Sequence, residues 1–531
     1  MDETTRPSEQ VLNSISTPGE IETAFGKLEF PLGRPTEETT KRIYDHLDYL
    51  HAVNAFLNAL PGVNTWAMRK GYLDAGIRDN DVVVWSGMLD SETILLGGSS
   101  DSLYFSTFAD LTDGPLVVEI PPLTLTFMND MWARGVTDGG MGGPDRGAGG
   151  KYLLLPPGYE GPLPEGGFFV SRCRTTRIFV WGRAFLEDND PKPGVERIKE
   201  TMRIHRYMPG GYGTSIGAIV TGGPAPALPW TAETWAPRIE KPPAPRFVEG
   251  TGLSMNTVNP NDSSFYQFAS DLVSDQPAEA LDAEIAGELA AIGIVKGKPF
   301  EPDARMREIL TEAAAVGNAI ARTLTFRPRT EDGVHYYGES SQWVNGLFAG
   351  GYDFMTPPAE VTDTGIRPYP SDGARKLHLR TQFFYLAWGI SPAMCMRITN
   401  LGSQYLVAAA DREDRTLDGA KHYKMSLPPG IPAARFWSLT AWDNQTRSML
   451  DTPQRFSKVG SQAYPRPAAT ADPDGSTTVH FAPDLPDGVP DGNWIQTTPG
   501  RGWCVCLRLY SPLEPFFDKS WRPGGIEEVE N

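Results

Sequence analysis

Apolar positions along the chain follow two different periods. From Thr36 to Leu60 they recur at helical spacing, through Ile43, Leu47, Leu50 and Leu57. Thr36 is placed to cap this helix, and Glu37 and Glu38 suit the positive end of its dipole. Pro61-Gly62 predicts the stop, with a shorter helix from Thr65 to Ala75. Beyond Gly76 the period falls to two. Val82 to Trp85, Thr93 to Leu96, Ser102 to Phe108, Leu116 to Ile120, Leu123 to Phe127, Tyr152 to Leu155, Gly167 to Ser171 and Arg177 to Phe185 are short runs rich in β-formers. Turn chemistry such as Asp113-Gly114-Pro115 and Pro121-Pro122 separates them. Short strands this closely spaced predict an antiparallel sandwich or jelly roll.

The middle of the chain changes character. Residues 222–250 are proline-rich and predict a linker or wrapping arm. Pro277 to Ile292 reads as a helix. Asp303 to Leu324 is a stronger one, with Met306, Ile309, Leu310, Ala313, Val316, Ile320 and Leu324 on one face. The β pattern returns at Thr381 to Ile390, Lys421 to Leu427, Phe436 to Trp442, Thr477 to Phe481, Asn493 to Gln496 and Trp503 to Tyr510. The fold class expected is therefore mainly β with a helical connecting module: two antiparallel β-sandwich or jelly-roll-like domains. The expected divisions are an N-terminal arm (1–35), N-terminal helices plus a β-sandwich domain (36–221), a Pro-rich linker or arm (222–275), a helical module (276–380) and a C-terminal β-sandwich domain (381–531).

Composition narrows the function classes. The 531 residues carry a formal net charge of -18, which favours solubility and opposes non-specific binding to nucleic acid or anionic lipid. The four cysteines, Cys173, Cys395, Cys504 and Cys506, show neither a disulfide framework nor zinc spacing and read as buried thiols. No apolar run is long enough for a membrane span. The opening Met1-Asp2-Glu3-Thr4 lacks signal-peptide character, so the expectation is a cytoplasmic protein as written, or a periplasmic or secreted one if a signal has been removed.

The segment from Asn129 to Tyr159 carries the densest candidate chemistry. Seven glycines fall between 139 and 150, beside acids, two arginines and a tryptophan. Glycine at this density marks sharp turns or close backbone approach. Asp101, Asp130, Tyr104 and Arg134 are the candidate catalytic residues. A pair of carboxylates can divide acid and base roles, as in glycosidic hydrolysis, or can hold a divalent cation such as Ca²⁺ or Mg²⁺. The commoner role for an aspartate at a strand end is to accept backbone N–H bonds in a turn. Trp132, Asp145, Arg146, Arg172, Arg174 and His205 are the candidate substrate contacts: an aromatic platform, arginines able to grip an anion, and a histidine between arginines. Tryptophans here are more often core, and surface arginines more often pair with surface acids. No His-Glu-x-x-His or dinucleotide fingerprint occurs. Gly213-Thr214-Ser215-Ile216-Gly217 matches the nucleophile-elbow pattern, but Pro209-Gly210-Gly211 breaks the strand that an elbow needs. The acid-rich run from Asp411 to Asp418 lacks calcium-loop spacing.

Several stretches resemble a tandem family of two domains of unknown function, numbered twelve-fifty-four (N-terminal) and twelve-fourteen (C-terminal). They are Gly76 to Asp81, Asp130-Met131-Trp132 through Gly143-Pro144-Asp145-Arg146-Gly147 to Pro156-Pro157-Gly158-Tyr159, and Pro209 to Ile216. In the second half they are Ala291 to Gly297, Phe436 to Leu439, Asp443 to Ser448 and Arg508 to Pro512. The resemblance implies two β-sandwich domains joined by helices and no established reaction. One departure is Ser99-Ser100-Asp101-Ser102, where the family usually has Asn-Ala-Asp-Thr before a tyrosine. If that asparagine positions a ligand, Ser99 implies a different one.

The functional expectation is a hydrolase or lyase on a small or oligomeric organic substrate, using a carboxylate-rich site in the N-terminal β domain, with a divalent metal as an optional cofactor. The alternative is a non-catalytic carbohydrate- or ligand-binding or envelope-associated protein. The Pro-rich arms also suit a homo-oligomer.

Overall fold

In the first half, α1 (Glu37–Asp74) is one helix of 38 residues rather than the two expected. The computed structural model describes residues 8–164, 166–207 and 242–530. Thr36 caps α1 as expected, its Oγ1 accepting from the Thr39 N–H at 3.2 Å. Pro61 sits inside the helix, where a proline costs roughly 3 kcal/mol through its missing N–H and its clash with the preceding turn. Every residue from Ala59 to Thr65 is nevertheless buried. Helices α2 (Ser264–Asp275), α3 (Ala283–Ala291), α4 (Ala304–Phe326) and α5 (Leu377–Leu386) pack around α1. Burial on all sides outweighs the local stop signal, because tertiary packing supplies most helical stability.

Helix and strand occur in about equal amount, which corrects the mainly β expectation. Part of the difference is α5, which takes Thr381 to Leu386 of the Thr381–Ile390 run expected as a strand. Its apolar residues show no alternation, and such a run is compatible with either element. The described part of the expected N-terminal arm forms a helix (Glu9–Ile15) and a hairpin (Glu20–Thr23 with Gly26–Glu29). The proline-rich stretch from 222 to 241 and the Gly213–Gly217 motif lie outside the described residues. Among the described residues no helix is long and apolar enough to cross a membrane.

The N-terminal strands are β1 (Val82–Val84), β2 (Leu103–Asp110), β3 (Leu116–Ile120), β4 (Thr124–Asp130), β5 (Gly135–Gly140), β6 (Gly150–Leu155), β7 (Phe169–Arg172), β8 (Arg177–Ala184), β9 (Arg203–Arg206) and β10 (Phe247–Glu249). They form one sheet of order β10-β1-β2-β8-β4-β5 and a second of order β7-β6-β3-β9. Leu103, Phe105, Met128 and Val180 of the first sheet share one core with Val118, Tyr152 and Leu154 of the second. Gly182 in β8 lies opposite Phe105, and a Cβ there would stand 2.0 Å from the Phe105 ring.

The C-terminal strands are β11 (Ser403–Ala408), β12 (Tyr423–Leu427), β13 (Ala433–Asp443), β14 (Lys458–Gly460), β15 (Thr477–Ala482), β16 (Trp494–Gln496), β17 (Trp503–Pro512) and β18 (Glu527–Glu528). Their sheets run β11-β17-β13-β14 and β16-β15-β12-β18. Leu406, Leu439, Val505 and Leu507 meet Tyr423 and Phe481 in a second core. All four cysteines are buried free thiols, as expected.

The two β halves are joined through a buried carboxylate. Asp101 is fully buried, and its partners come from the C-terminal half. Asp101 Oδ2 accepts from Ser438 Oγ at 2.6 Å and from Tyr510 OH at 3.1 Å, and Lys458 Nζ stands 3.6 Å from Oδ1. Nearby, the Trp442 indole N–H donates to Gly98 O at 2.8 Å.

Two stability outcomes follow from these contacts. Asp101→Ala leaves Lys458 buried without its counter-charge and is expected to lower unfolding free energy by about 3–5 kcal/mol in urea titration. Adding Lys458→Met to that variant recovers part of the loss. A loss below about 1 kcal/mol, or no recovery, would refute the docking role of the pair. Gly182→Ala overpacks the N-terminal core against Phe105 and is expected to cost about 1–3 kcal/mol. Wild-type stability for this variant would show that Phe105 has room to move.

Candidate functional site

The alternation of the strands gives each large sheet a second buried face. With Leu103, Phe105 and Val180 turned into the N-terminal core, Tyr104, Trp181 and Arg183 point the other way, together with Leu125 and Phe127 of β4. In the C-terminal half the same alternation turns Ser403, Tyr405 and Val407 of β11, Trp442 of β13 and Cys506 and Arg508 of β17 away from their core. Between these two back faces lies a cavity of about 250 Å³, closed by α5 and by the Ala387–Met394 segment.

Its walls are mainly apolar and include a cluster of aromatic rings. The Trp181 and Trp388 rings are 4.5 Å apart, Tyr104 is 5.1 Å from Trp181, and Phe127 is 5.8 Å from Trp388. Polar groups gather at one end. Arg508 donates from Nη1 to Ser99 Oγ at 2.8 Å and from Nη2 to Gly97 O at 2.7 Å. Ser99 Oγ and Tyr104 OH share a 2.8 Å hydrogen bond. Arg183 donates from Nη2 to Ser403 Oγ at 3.1 Å, and Ser403 donates to Tyr405 OH at 2.6 Å. Burial pushes the Cys506 thiol up to about 11, against the pull of Arg508. Burial likewise pulls the Lys458 ammonium down, with Asp101 opposing.

Asp138 supplies the acid of the cavity. It lies opposite Phe127 in the β4–β5 register and so shares the cavity face. Burial pushes its carboxyl up to about 6, while the Ser391 hydroxyl and the Ala393 N–H (3.3 Å from Oδ2) pull the other way. Two strand spacings and two residues separate it from Arg183, about 12 Å between Cα atoms. The neighbouring glycines let the backbone close up behind it: Gly140 has φ +70°, and a Cβ there would meet Thr124 O at 2.0 Å.

The residues singled out from sequence are dispersed. Tyr104 lines the cavity. Asp101 stands behind its wall, holding Tyr510, whose ring lies 5.2 Å under the Arg183 guanidinium. Asp130 is elsewhere. It aligns through Ile178 with Ala109, six residues along β2 from Leu103, or about 20 Å from the Asp101 end. Asp130 Oδ1 accepts from the N–H groups of Trp132 (2.9 Å) and Arg134 (3.0 Å), and Oδ2 from Arg134 Nε (2.8 Å). This is a turn locked by an ion pair, so the two acids do not form a pair. Asp145 accepts from Tyr152 OH at 2.5 Å and from the Gly149 N–H at 3.0 Å. Trp132 is buried against Gly62 of α1. Arg146, Arg172 and Arg174 are exposed, with Arg172 Nη1 donating to Tyr159 O at 2.9 Å. His205 Nε2 lies 3.3 Å from Glu119 Oε1. Among the described residues no three His, Cys, Asp or Glu side chains converge in a way that could hold a metal ion.

Sequence reasoning missed Asp138, Arg183 and Arg508. A signal was present: Arg177–Ala184 and Trp503–Tyr510 carry large side chains at both odd and even positions, as strands buried on both faces do. An arginine inside such a strand must turn toward an enclosed polar site.

No curated protein is significantly similar to the chain. Among solved structures, the VPA0106 protein from Vibrio parahaemolyticus is 14% identical, with 91% of this chain and 100% of that one covered and a TM-score of 0.48. An uncharacterised protein from Burkholderia cenocepacia is 14% identical, with 92% and 97% covered and a TM-score of 0.35. Residues 80–206 match the family described as a protein of unknown function (DUF1254), and residues 402–514 match the one described as a protein of unknown function (DUF1214). The chain thus carries a DUF1254 match followed by a DUF1214 match, both families being of unknown function.

Proposed function

We propose that the chain is an acid–base enzyme, a hydrolase or lyase, acting on a small organic substrate in the cavity between the two β halves. The observation that carries this reading is Asp138, a carboxyl on the cavity face held at about 6 by burial. A base is most useful when its pKa lies near the working pH, and perturbed carboxyls gather at functional sites. Ionised Asp138 takes a proton from a substrate carbon or from a water molecule. Arg183, Arg508 and the Tyr104 hydroxyl, on the same cavity, stabilise the negative charge that develops. Loss of a leaving group after proton abstraction makes the reaction a lyase's, and attack by the activated water makes it a hydrolase's. The size of the cavity favours a small molecule over an oligomer. Each half, two sheets around one core, reads as a β-sandwich. The aromatic walls support a second reading, binding of the same kind of molecule without chemistry.

Incubating the purified protein with a mixture of small metabolites in deuterated water, followed by mass spectrometry, tests the first reading. Wild-type protein is expected to form product or exchange a proton, with a rate rising through about pH 6. Asp138→Asn is expected to lower that rate by about 10²–10⁴-fold with little change in ligand affinity. Full turnover by the Asn variant would end the assignment, and ligand binding without turnover by wild type would favour the second reading.

Stability gives an independent check on Asp138. Its carboxyl keeps the proton to about pH 6 when folded, whereas the ordinary value is 3.8. The folded state therefore binds more protons in that window, and wild type loses stability as pH rises through it. Cys395 and Tyr152, which face Asp138, remain uncharged there because burial raises both. The stability of Asp138→Asn relative to wild type is expected to climb from about pH 4 to pH 6, by on the order of 1–3 kcal/mol, and to level off above. A flat difference across that range would show that the carboxyl is not perturbed.

A further inference from the structure

Arg183 and Arg508 enter the same cavity from facing sheets and are close enough to repel one another. Among the described residues neither takes part in an ion pair. Arg183 has one hydrogen bond, to Ser403 Oγ, and the Tyr510 ring beneath it. A guanidinium carries five N–H donors, so most of those on Arg183 have no protein acceptor. Arg508 is nine-tenths buried, and its Nε, withdrawn from solvent, has no acceptor at all. The Asp101 carboxylate behind the wall is matched by Lys458 and by two hydroxyls. Asp101 and the tyrosines favour the charge on Arg508, and the tyrosines favour that on Arg183, but no carboxylate touches either guanidinium, so their unfilled donors leave a place for an anion.

We infer that the cavity takes an organic monocarboxylate with a flat apolar body, its carboxylate seated between Arg183 and Arg508 and its body against Trp181, Trp388 and Phe127. The planar guanidinium fork matches a carboxylate, and aromatic walls match a flat apolar body. A single acid group follows from Asp138, which lies across the same face and repels a second carboxylate once ionised. The inference rests on the proposed function in one respect, that this cavity is the functional site. It adds what the site recognises.

The test is isothermal titration of the full chain at pH 8 with three matched probes: 3-phenylpropanoate, 3-phenylpropanamide and 3-phenylpropan-1-ol. The acid is expected to bind at least tenfold more tightly than the amide or the alcohol. Arg183→Met is expected to remove that preference by weakening the acid alone, and Arg183→Lys to retain part of it. Circular dichroism checks that both variants fold, and the Lys variant still decides the matter if the Met variant does not. Equal binding of acid, amide and alcohol to wild type would overturn the anion inference while leaving the cavity reading intact. Binding of none of the three up to their solubility would overturn both.

Discussion

A fully buried carboxylate, Asp101, sets the relation between the two halves. It belongs to the N-terminal half, but Ser438, Tyr510 and Lys458, which satisfy it, belong to the C-terminal half. A buried charge without partners is among the most destabilising features a fold can carry, and a buried amine without its counter-ion is as unfavourable. Neither half can therefore leave the other without exposing or stranding a charge. The sheets that face each other across the cavity are held at a separation that side-chain length decides, and that separation leaves room for a small molecule.

The same interface explains why the cavity is both apolar and charged. A strand with one face in a core and the other toward solvent places polar residues outside. Here the outer face meets a second sheet and α5, so Tyr104, Trp181 and Phe127 occupy positions that would otherwise be polar. Arg183 and Arg508 stand out against that background. Each sits among aromatic rings, with Tyr510 under Arg183 and with Tyr405 and Trp442 near Arg508. Ring faces favour a cation but do not neutralise it. Asp101 reaches this system at one remove, through Tyr510, and so acts on the site by positioning rather than by contact.

Helix α1 and the glycine-rich segment illustrate how context overrules local preference. Pro61-Gly62 is a strong stop signal in isolation, yet the turn is buried, with Leu272 of α2 and Trp132 against it. Gly62 is what lets Trp132 and Leu272 approach the helix, since a Cβ there would stand 2.4 Å from the indole. In the segment from Gly135 to Gly150 the glycines serve the backbone. They allow β4, β5 and the following turn to pass closely, and the side chain presented to the cavity by that arrangement is Asp138.

Much of the fold was legible along the chain. The short alternating runs became strands near their expected limits, and Thr36 and Asp303 cap the helices they precede. Asp130 in a turn and four free thiols also follow from local chemistry. Local signals failed where the deciding partner is remote: α5 became a helix, Pro61 did not stop α1, and Asp101 and Asp130 went to opposite strand ends. The candidate site was legible only in its raw material, Tyr104 and the costly glycine segment. Period and capping depend on residues within one or two turns, so the sequence by itself determines them. The cavity depends on which outer faces meet, and contacts between residues more than three hundred apart, such as Asp101 with Ser438 and Arg508 with Ser99, decide that only in the tertiary structure.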